Sequence, residues 1–153
     1  MTQQSPTIGK LAEALAAAQG EITGARKDSS NPFFKSKYAD LASVWDACRE
    51  HLSKNGLSVI QTTYVGQRSR TETEIFDQKT ERTKKETSEV IPVVLVTMLA
   101  HSSGEWIQGV LEMLPKDNSP QAIGSCISYA RRYALSAIVG VAQVDDDANS
   151  ATR

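Results

Sequence analysis

The sequence predicts an α+β fold, in which helices accompany an antiparallel, hairpin-rich sheet within one domain. Three segments carry apolar residues at helical spacing, and two β-rich runs joined by a short polar turn indicate a hairpin. The chain has 153 residues, of which 40% are hydrophobic, and this suffices for one domain with one core. We therefore expect a domain over residues 1–144 and a short acidic tail over residues 145–153.

Two helices are predicted in the first third of the chain. The first follows the start signals Ser5, Pro6 and Thr7, and its apolar residues recur at steps of three and four. The second begins near Asp40, a suitable N-cap, and ends at Asn55-Gly56. Its apolar side comprises Leu41, Val44, Trp45, Cys48 and Leu52.

Three β-rich runs follow, at residues 57–65, 90–100 and 105–114. The polar turn HSSG separates the last two, which therefore form a hairpin. Between the first two runs lies a charged insert at about residues 66–89, in which only Ile75 and Phe76 are large and apolar. Its composition is compatible with an extended hairpin and with a mobile loop.

A final helix is predicted over residues 120–139, with Ser119 as its N-cap and Pro120 in its first turn. In a helical projection Arg132 lies opposite the apolar side, among serines and Tyr129. We therefore expect Arg132 to be accessible. The apolar side comprises Ile123, Cys126, Ile127, Ala130, Ala134, Ala137 and Ile138.

The charge balance and the cysteines limit the classes of function. Lys+Arg 17 against Asp+Glu 18 gives a net charge of -1, so any nucleic-acid site must be a local patch. Cys48 and Cys126 are far apart and belong to no metal-ligand motif, which favours a reducing cytoplasm. Neither a signal peptide nor an apolar run of membrane-spanning length is present, so we expect a soluble cytoplasmic protein without a membrane partner.

The loop NPFFKSKYADL, residues 31–41, is the first candidate binding site. It places Lys35 and Lys37 beside Phe33, Phe34 and Tyr38. Single-stranded DNA requires both kinds of group, because cations hold phosphates and flat rings stack on bases. The alternative is that the rings anchor the loop in the core while the lysines are solvated.

The helix segment SYARRYALSAI, residues 128–138, is the second candidate. Its adjacent Arg131 and Arg132 offer fixed forks of donors that suit phosphate oxygens. The alternative is that they form ion pairs with carboxylates on a neighbouring helix or subunit.

The acidic run Asp145, Asp146 and Asp147 is a weaker candidate, for Mg²⁺ and a nuclease activity. Consecutive residues in a tail rarely converge on one ion, so we favour a solvated run and expect no cofactor. His51 and His101 have no spaced partner ligand. The sequence contains no phosphate-binding P-loop and no GxGxxG loop, which disfavours an ATP-driven recombinase.

Three stretches, residues 31–61, 95–109 and 119–149, together cover about half of the chain and resemble the ERF (essential recombination function) family of phage single-strand annealing proteins. The resemblance implies ATP-independent annealing of complementary single strands in homologous recombination. A protein of this kind forms no covalent bonds and hydrolyses no nucleotide. It also implies a curved antiparallel sheet backed by helices, related to the ring-forming annealing fold.

The resemblance extends to individual residues. Lys35, Lys37 and Tyr38 match the family's lysine- and tyrosine-containing loop, and Arg131 and Arg132 match the arginine-bearing helix that lines the DNA groove in related folds. The implied partners are single-stranded DNA and further copies of the chain in a ring or filament, with a host single-strand-binding protein and a phage exonuclease as candidate protein partners. The charged insert is longer than a minimal core of this family requires. No separate C-terminal assembly domain is expected.

Two rival functions stay open from the residues themselves. The first is passive binding of single-stranded DNA without annealing, which needs the same cations and rings. The second is an Asp-dependent nuclease built on the acidic run.

Overall fold

A computed structural model describes residues 3–27, 29–30 and 37–144 of the chain. This part contains three helices, α1 (Gly9–Glu21), α2 (Leu41–Lys54) and α3 (Pro120–Val139). Ten strands accompany them: β1 (Gln3–Gln4), β2 (Ala25–Arg26), β3 (Ser29–Ser30), β4 (Lys37–Tyr38), β5 (Leu57–Val65), β6 (Ser69–Asp77), β7 (Arg82–Val90), β8 (Val93–His101), β9 (Trp106–Met113) and β10 (Gln143–Val144). The predicted α+β class is confirmed.

The main sheet has four strands in the order β1-β9-β8-β5, and every pairing in it is antiparallel. The predicted hairpin of the second and third β-rich runs is confirmed as β8 and β9, in which Val93 lies opposite Met113. The first run forms β5, which pairs with β8 along its whole length, from Leu57 opposite His101 to Val65 opposite Val93.

The three helices pack against one face of this sheet. Alternate residues of β8 point towards them, so that Leu95 and Leu99 are fully buried. The core combines helix residues such as Val44 and Leu135 with Leu57 and Leu99 of the sheet. On the opposite face Ile60 and Tyr64 are exposed, so the sheet has helices on one face only among the described residues.

Local capping signals set the ends of α2 and α3 as predicted. The Asp40 carboxylate accepts a hydrogen bond from the Ser43 backbone N–H at 2.8 Å, and the Ser119 hydroxyl accepts one from that of Ala122 at 3.3 Å. At the end of α3 Gly140 adopts the left-handed conformation, with φ of 81°, which favours glycine.

The start of α1 is capped from elsewhere in the chain. Its N-cap residue, Ile8, has no side chain that can accept a hydrogen bond. Glu105 supplies the acceptor instead, since its carboxylate binds the Leu11 backbone N–H at 2.8 Å and the Thr7 hydroxyl at 2.9 Å. These contacts hold the pKa of Glu105 below its ordinary value, the Leu11 N–H contributing most.

The charged insert forms an extended hairpin, the first of the two alternatives. Strands β6 and β7 pair antiparallel along their whole length, from Ser69 opposite Val90 to Asp77 opposite Arg82, in a two-stranded sheet of their own. They pack chiefly against each other, and we call this hairpin the arm. The Gly66 N–H donates to the Pro92 carbonyl at 2.9 Å, where the arm joins the β5–β8 ladder.

None of the helices in the described ranges is both long and apolar enough to cross a membrane. The predicted tail at residues 145–153 lies outside these ranges.

Candidate nucleic-acid interface

The lysine-rich loop ends in a short strand that lies next to α3. Lys37 and Tyr38 form β4, which pairs with Ser30 and Ser29 of β3. Lys37 is exposed, whereas Tyr38 is half-buried. Lys35, like Phe33 and Phe34, lies outside the described residues, so the structure places only the second half of this predicted site.

Asp40 anchors the end of this loop to α2. Beyond its bond to the Ser43 N–H, its carboxylate accepts a hydrogen bond from the Ser29 hydroxyl at 2.9 Å. The Ser43 N–H and then the Ser29 hydroxyl lower the pKa of Asp40, so the carboxylate is ionised at neutral pH. The loop end is therefore tied to the same short segment that starts α2.

The predicted accessibility of Arg132 is wrong. Its side chain is only 7% exposed, and it lies among the buried residues of α3 with Ala130 and Leu135. The helical projection assumed one buried side, but α3 packs against α2 as well as against β8 and β9. A helix that packs against two neighbours buries more than one stripe of its surface. Ala137, which the projection placed in the core, is exposed instead.

Three tyrosine rings surround the buried guanidinium. Its Cζ lies 4.7 Å from the ring centroid of Tyr38, 5.0 Å from that of Tyr129 and 4.9 Å from that of Tyr133. These distances are typical of cation–π contacts, in which the negative face of a ring stabilises the charge. We call Tyr38, Tyr129, Arg132 and Tyr133 the tyrosine-arginine cluster.

Within the described part of the chain, few other groups stabilise the buried positive charge of Arg132. Its Nη1 lies 3.5 Å from the Ala39 carbonyl oxygen, at the limit of hydrogen-bonding distance. Its buried Nε has no partner among the described residues, and no described carboxylate forms an ion pair with Arg132. The charge therefore depends mainly on the rings, which it polarises in turn.

Tyr129 and Tyr133 present a stacked pair of rings to solvent. The two residues are one helical turn apart, their centroids are separated by 6.3 Å, and their planes differ by 24°. Their side chains remain 44% and 49% exposed. The helical projection places Tyr129 beside Arg132 and does not single out Tyr133, although the spacing of four residues between the two tyrosines, with Arg132 between them, is a usable signal.

Arg131 lies apart from the cluster, against the sheet. Its Nε donates to the Gln61 side-chain oxygen at 3.3 Å, and the Gln61 amide donates to the Arg131 carbonyl and to the Thr97 hydroxyl, both at 3.1 Å. Successive residues of a helix point about 100° apart, so two adjacent arginines cannot share one ring of tyrosines. The structure brings Tyr38 and Arg132 together and leaves Arg131 half-buried beside β5.

A groove along α3 leads to the cluster. A depression of about 410 Å³ is lined by Tyr38, Gln121, Ser125, Tyr129 and Arg132, among others. Gln121, Ser125 and Tyr129 also line a second depression of about 560 Å³ towards the start of the helix, where Lys116 lies. The two depressions form one groove with hydroxyl and amide groups along an aromatic wall.

Two carboxylates on this groove limit what it can hold. Asp40 lines one end and Asp117 the other. The pKa of Asp117 is lowered as well, first by the Ser119 hydroxyl, so both are negative at neutral pH and repel phosphate. The groove is therefore better suited to bases than to a phosphate backbone, for which the exposed Lys116 at one end and the exposed Lys37, which precedes Tyr38, are available cations.

The part of the chain that the structure describes has no cluster of three or more acidic, histidine or cysteine side chains that could hold a metal ion. Asp145, Asp146 and Asp147 lie outside it, so the weaker magnesium hypothesis concerns residues without a described position.

No curated protein and no solved structure matches this chain significantly. The family model of the ERF superfamily matches residues 11–153, which include most of α1, all of α2 and α3, the whole cluster and the arm. Family membership suggests a function related to phage recombination and single-strand annealing. Because the match covers far more than half of its length, this chain belongs to the ERF superfamily.

Proposed function

We propose that this protein binds single-stranded DNA and promotes the annealing of complementary strands in homologous recombination, on a fold related to the ring-forming annealing fold. It uses neither nucleotide hydrolysis nor bond-making chemistry. The observation that carries the proposal is the exposed, stacked pair Tyr129 and Tyr133 over the buried guanidinium of Arg132, beside the exposed Lys37.

The tyrosine pair is a stacking platform for bases. Every base has a flat face, so stacking holds a strand whatever its sequence and contributes roughly 1–3 kcal/mol for each base. Arg132 does not reach phosphates in this arrangement, since it is buried. Its role is to hold the three rings in place and to polarise them.

Phosphate contacts fall to the cations around the platform. Lys37 is exposed next to Tyr38, and Arg131 is half-buried on the adjacent side of α3. Lys35 belongs to the same loop by sequence and is proposed for the same role. With so few cations a single site is weak and sensitive to salt, as the net charge of -1 also implies.

Annealing follows from how such a site displays a strand. Bases that stack by their faces keep their Watson–Crick edges free, and a strand held extended by its phosphates cannot fold back on itself. A second strand can then pair with the displayed edges. Repeating the site in a homo-oligomeric ring or filament adds the weak contacts together. Binding to a host single-strand-binding protein or a phage exonuclease remains a prediction.

A strand-annealing assay with two complementary oligonucleotides tests the proposal. The protein is expected to accelerate pairing equally in EDTA, in Mg²⁺ and in Mg²⁺ with ATP. Binding that protects the strands without faster pairing would mean a passive single-strand binder. Shortening of the DNA that depends on Mg²⁺ would mean a nuclease, and either result contradicts the proposal.

A further inference from the structure

The arm extends from the domain without a partner of its own. Each strand has nine residues, which at about 3.3 Å per residue gives an arm of about 30 Å. A two-stranded hairpin is marginally stable in water unless it packs against something else. Since β6 and β7 pack chiefly against each other, contact with a surface outside the arm would stabilise them.

The charges of the arm favour a protein surface over DNA. The insert, residues 66–89, contains six basic and six acidic residues, so it presents no excess of cations to phosphates. Two pairs of its opposite charges lie close together, Lys85 and Glu74 at 3.5 Å and Arg68 and Glu89 at 3.5 Å. A neutral surface of paired charges suits the rim of a protein interface.

The far end of the arm carries its apolar side chains. Phe76 and Ile75 precede the turn, and they are 60% and 45% exposed. An aromatic side chain on a neutral, projecting hairpin is a typical anchor for a pocket on a partner.

An apolar cleft of about 390 Å³ lies elsewhere on the same domain, between α3 and β9. Its walls are mainly aliphatic, and they include Ile107 and Leu111 of the sheet and Tyr133, Ala134, Ala137 and Ile138 of the helix. The cleft opens beside the edge of the sheet, where β1 pairs with β9 only at Ile107 and Gln108 within the described residues. The arm of the same chain does not line it.

Gly109 keeps this cleft open. It lies inside β9 opposite Thr97, where glycine weakens a strand, and a Cβ at this position would meet no atom within 4 Å. A larger residue would therefore fit and would favour the strand. A glycine inside a strand often marks a site where a ligand or another backbone approaches closely, and this is compatible with a docked segment here.

We propose that the arm of one copy docks in this cleft of a second copy, with Phe76 as the side chain that fills it. The anchor and the cleft are different surfaces of one chain, so the contact is head-to-tail. Each copy then binds one neighbour through its arm and a second neighbour through its cleft. Repetition of the contact builds a ring or a filament. Tyr133 lines the cleft and also belongs to the stacking platform, so the two sites adjoin. The contact requires no DNA, and a mass measurement without DNA therefore tests it apart from base stacking.

Light scattering coupled to size-exclusion chromatography, with micromolar protein and no DNA, tests this contact. The parent is expected to be larger than a dimer. Phe76→Ser and Gly109→Leu, which remove the anchor and fill the cleft, are each expected to lower the mass at least two-fold. Tyr64→Ser is the matched control, because Tyr64 is 59% exposed but lies outside arm and cleft, and it should keep the parental mass.

Mixing the two disrupting variants gives the sharpest result. Phe76→Ser retains a cleft and Gly109→Leu retains an anchor, so together they can form one head-to-tail contact and no more. A one-to-one heterodimer is expected from two monomeric variants. Ala137→Glu, at an exposed position of the cleft, replaces Gly109→Leu if circular dichroism shows that the latter does not fold.

Three results would overturn the proposal. The first is a parent that is monomeric, and the second is a folded Phe76→Ser variant with the parental mass. The third is a mixture of folded variants that forms no heterodimer. If Tyr64→Ser lowers the mass while Phe76→Ser does not, the copies meet on the open face of the sheet instead.

Discussion

The guanidinium of Arg132 lies 4.7 Å from the centre of the Tyr38 ring, and this contact joins two segments that are far apart in the sequence. Tyr38 ends the lysine-rich loop, whereas Arg132 lies in the middle of α3. The contact places the end of the lysine-rich loop next to the tyrosines of the helix. A loop and a helix that were separate candidates in the sequence therefore form one site.

We predict that Tyr129→Ala and Tyr133→Ala each weaken the binding of single-stranded DNA by roughly 1–3 kcal/mol, because each removes a ring on which a base stacks. Tyr129→Phe and Tyr133→Phe should bind almost as the parent does. Fluorescence anisotropy with a labelled oligonucleotide measures the affinities. Tyr64→Ala is the control, since it removes an even more exposed ring from the opposite face of the sheet. An equal loss in this control would contradict a specific platform.

Substitutions of Arg132 should affect folding before they affect phosphate binding. We expect Arg132→Ala to destabilise the domain by about 2–4 kcal/mol, as other buried long side chains do when truncated. Arg132→Met keeps most of the volume and removes a charge that is costly to bury, so it should be the more stable of the two. Urea unfolding gives both values. A parental stability in Arg132→Ala would mean that the guanidinium is not a packing element.

Lys37→Ala and Arg131→Ala should weaken DNA binding through lost phosphate contacts. Each is expected to reduce the slope of log affinity against log salt by about 0.7, the value for one phosphate of a single strand. Lys54→Ala is a matched control, because Lys54 is an exposed lysine at the far end of α2 that pairs with Glu21. Slopes equal to the parental one in both test variants would remove these residues from the site.

Replacing residues 67–88 with a short Gly/Ser linker should preserve the fold, because the arm packs chiefly against itself and a shorter loop closes at little entropic cost. The melting temperature should stay within a few degrees of the parental one. The mass should fall as it does in Phe76→Ser. Insoluble protein would show that the arm is needed for folding.

The stability of α1 should depend on pH through Glu105. Its pKa is lowered in the folded protein, mainly by the Leu11 N–H, so its contribution is present above the ordinary value of 4.5 and is lost as the pH falls through the folded pKa. We expect Glu105→Gln to be less stable than the parent at pH 7 and to approach it below the folded pKa. Thermal melts from pH 7 to pH 3 measure the difference, and a constant difference would argue against the carboxylate as the cap.

Local signals were enough to predict most of the fold. Asp40 and Ser119 have side chains that cap the residues directly after them, so the starts of α2 and α3 were visible in the sequence. The β8–β9 hairpin was equally local. The cap on α1 was not predictable, because Glu105 is remote in sequence, and the arm was ambiguous, because neither of its faces is apolar.

The site was predicted only in part, for a related reason. Residue types indicated Tyr38 and Arg132, but a projection of one helix cannot show a second neighbour on its other side. The projection therefore predicted an exposed guanidinium for Arg132, whereas the fold buries it among three rings. It also left out Tyr133. Arg131 bonds to Gln61 of the sheet, which only the tertiary structure could reveal.

The annealing rate of the Tyr129→Ala, Tyr133→Ala double variant tests the central claim most directly. Pairing of two complementary oligonucleotides is followed in EDTA without nucleotide, with the parent and Tyr64→Ala beside it. We predict that the parent and Tyr64→Ala accelerate pairing alike, whereas a folded double variant of parental mass loses at least ten-fold of that acceleration, about 1.4 kcal/mol. A folded double variant that anneals as fast as the parent would show that the tyrosine-arginine cluster is not the DNA site.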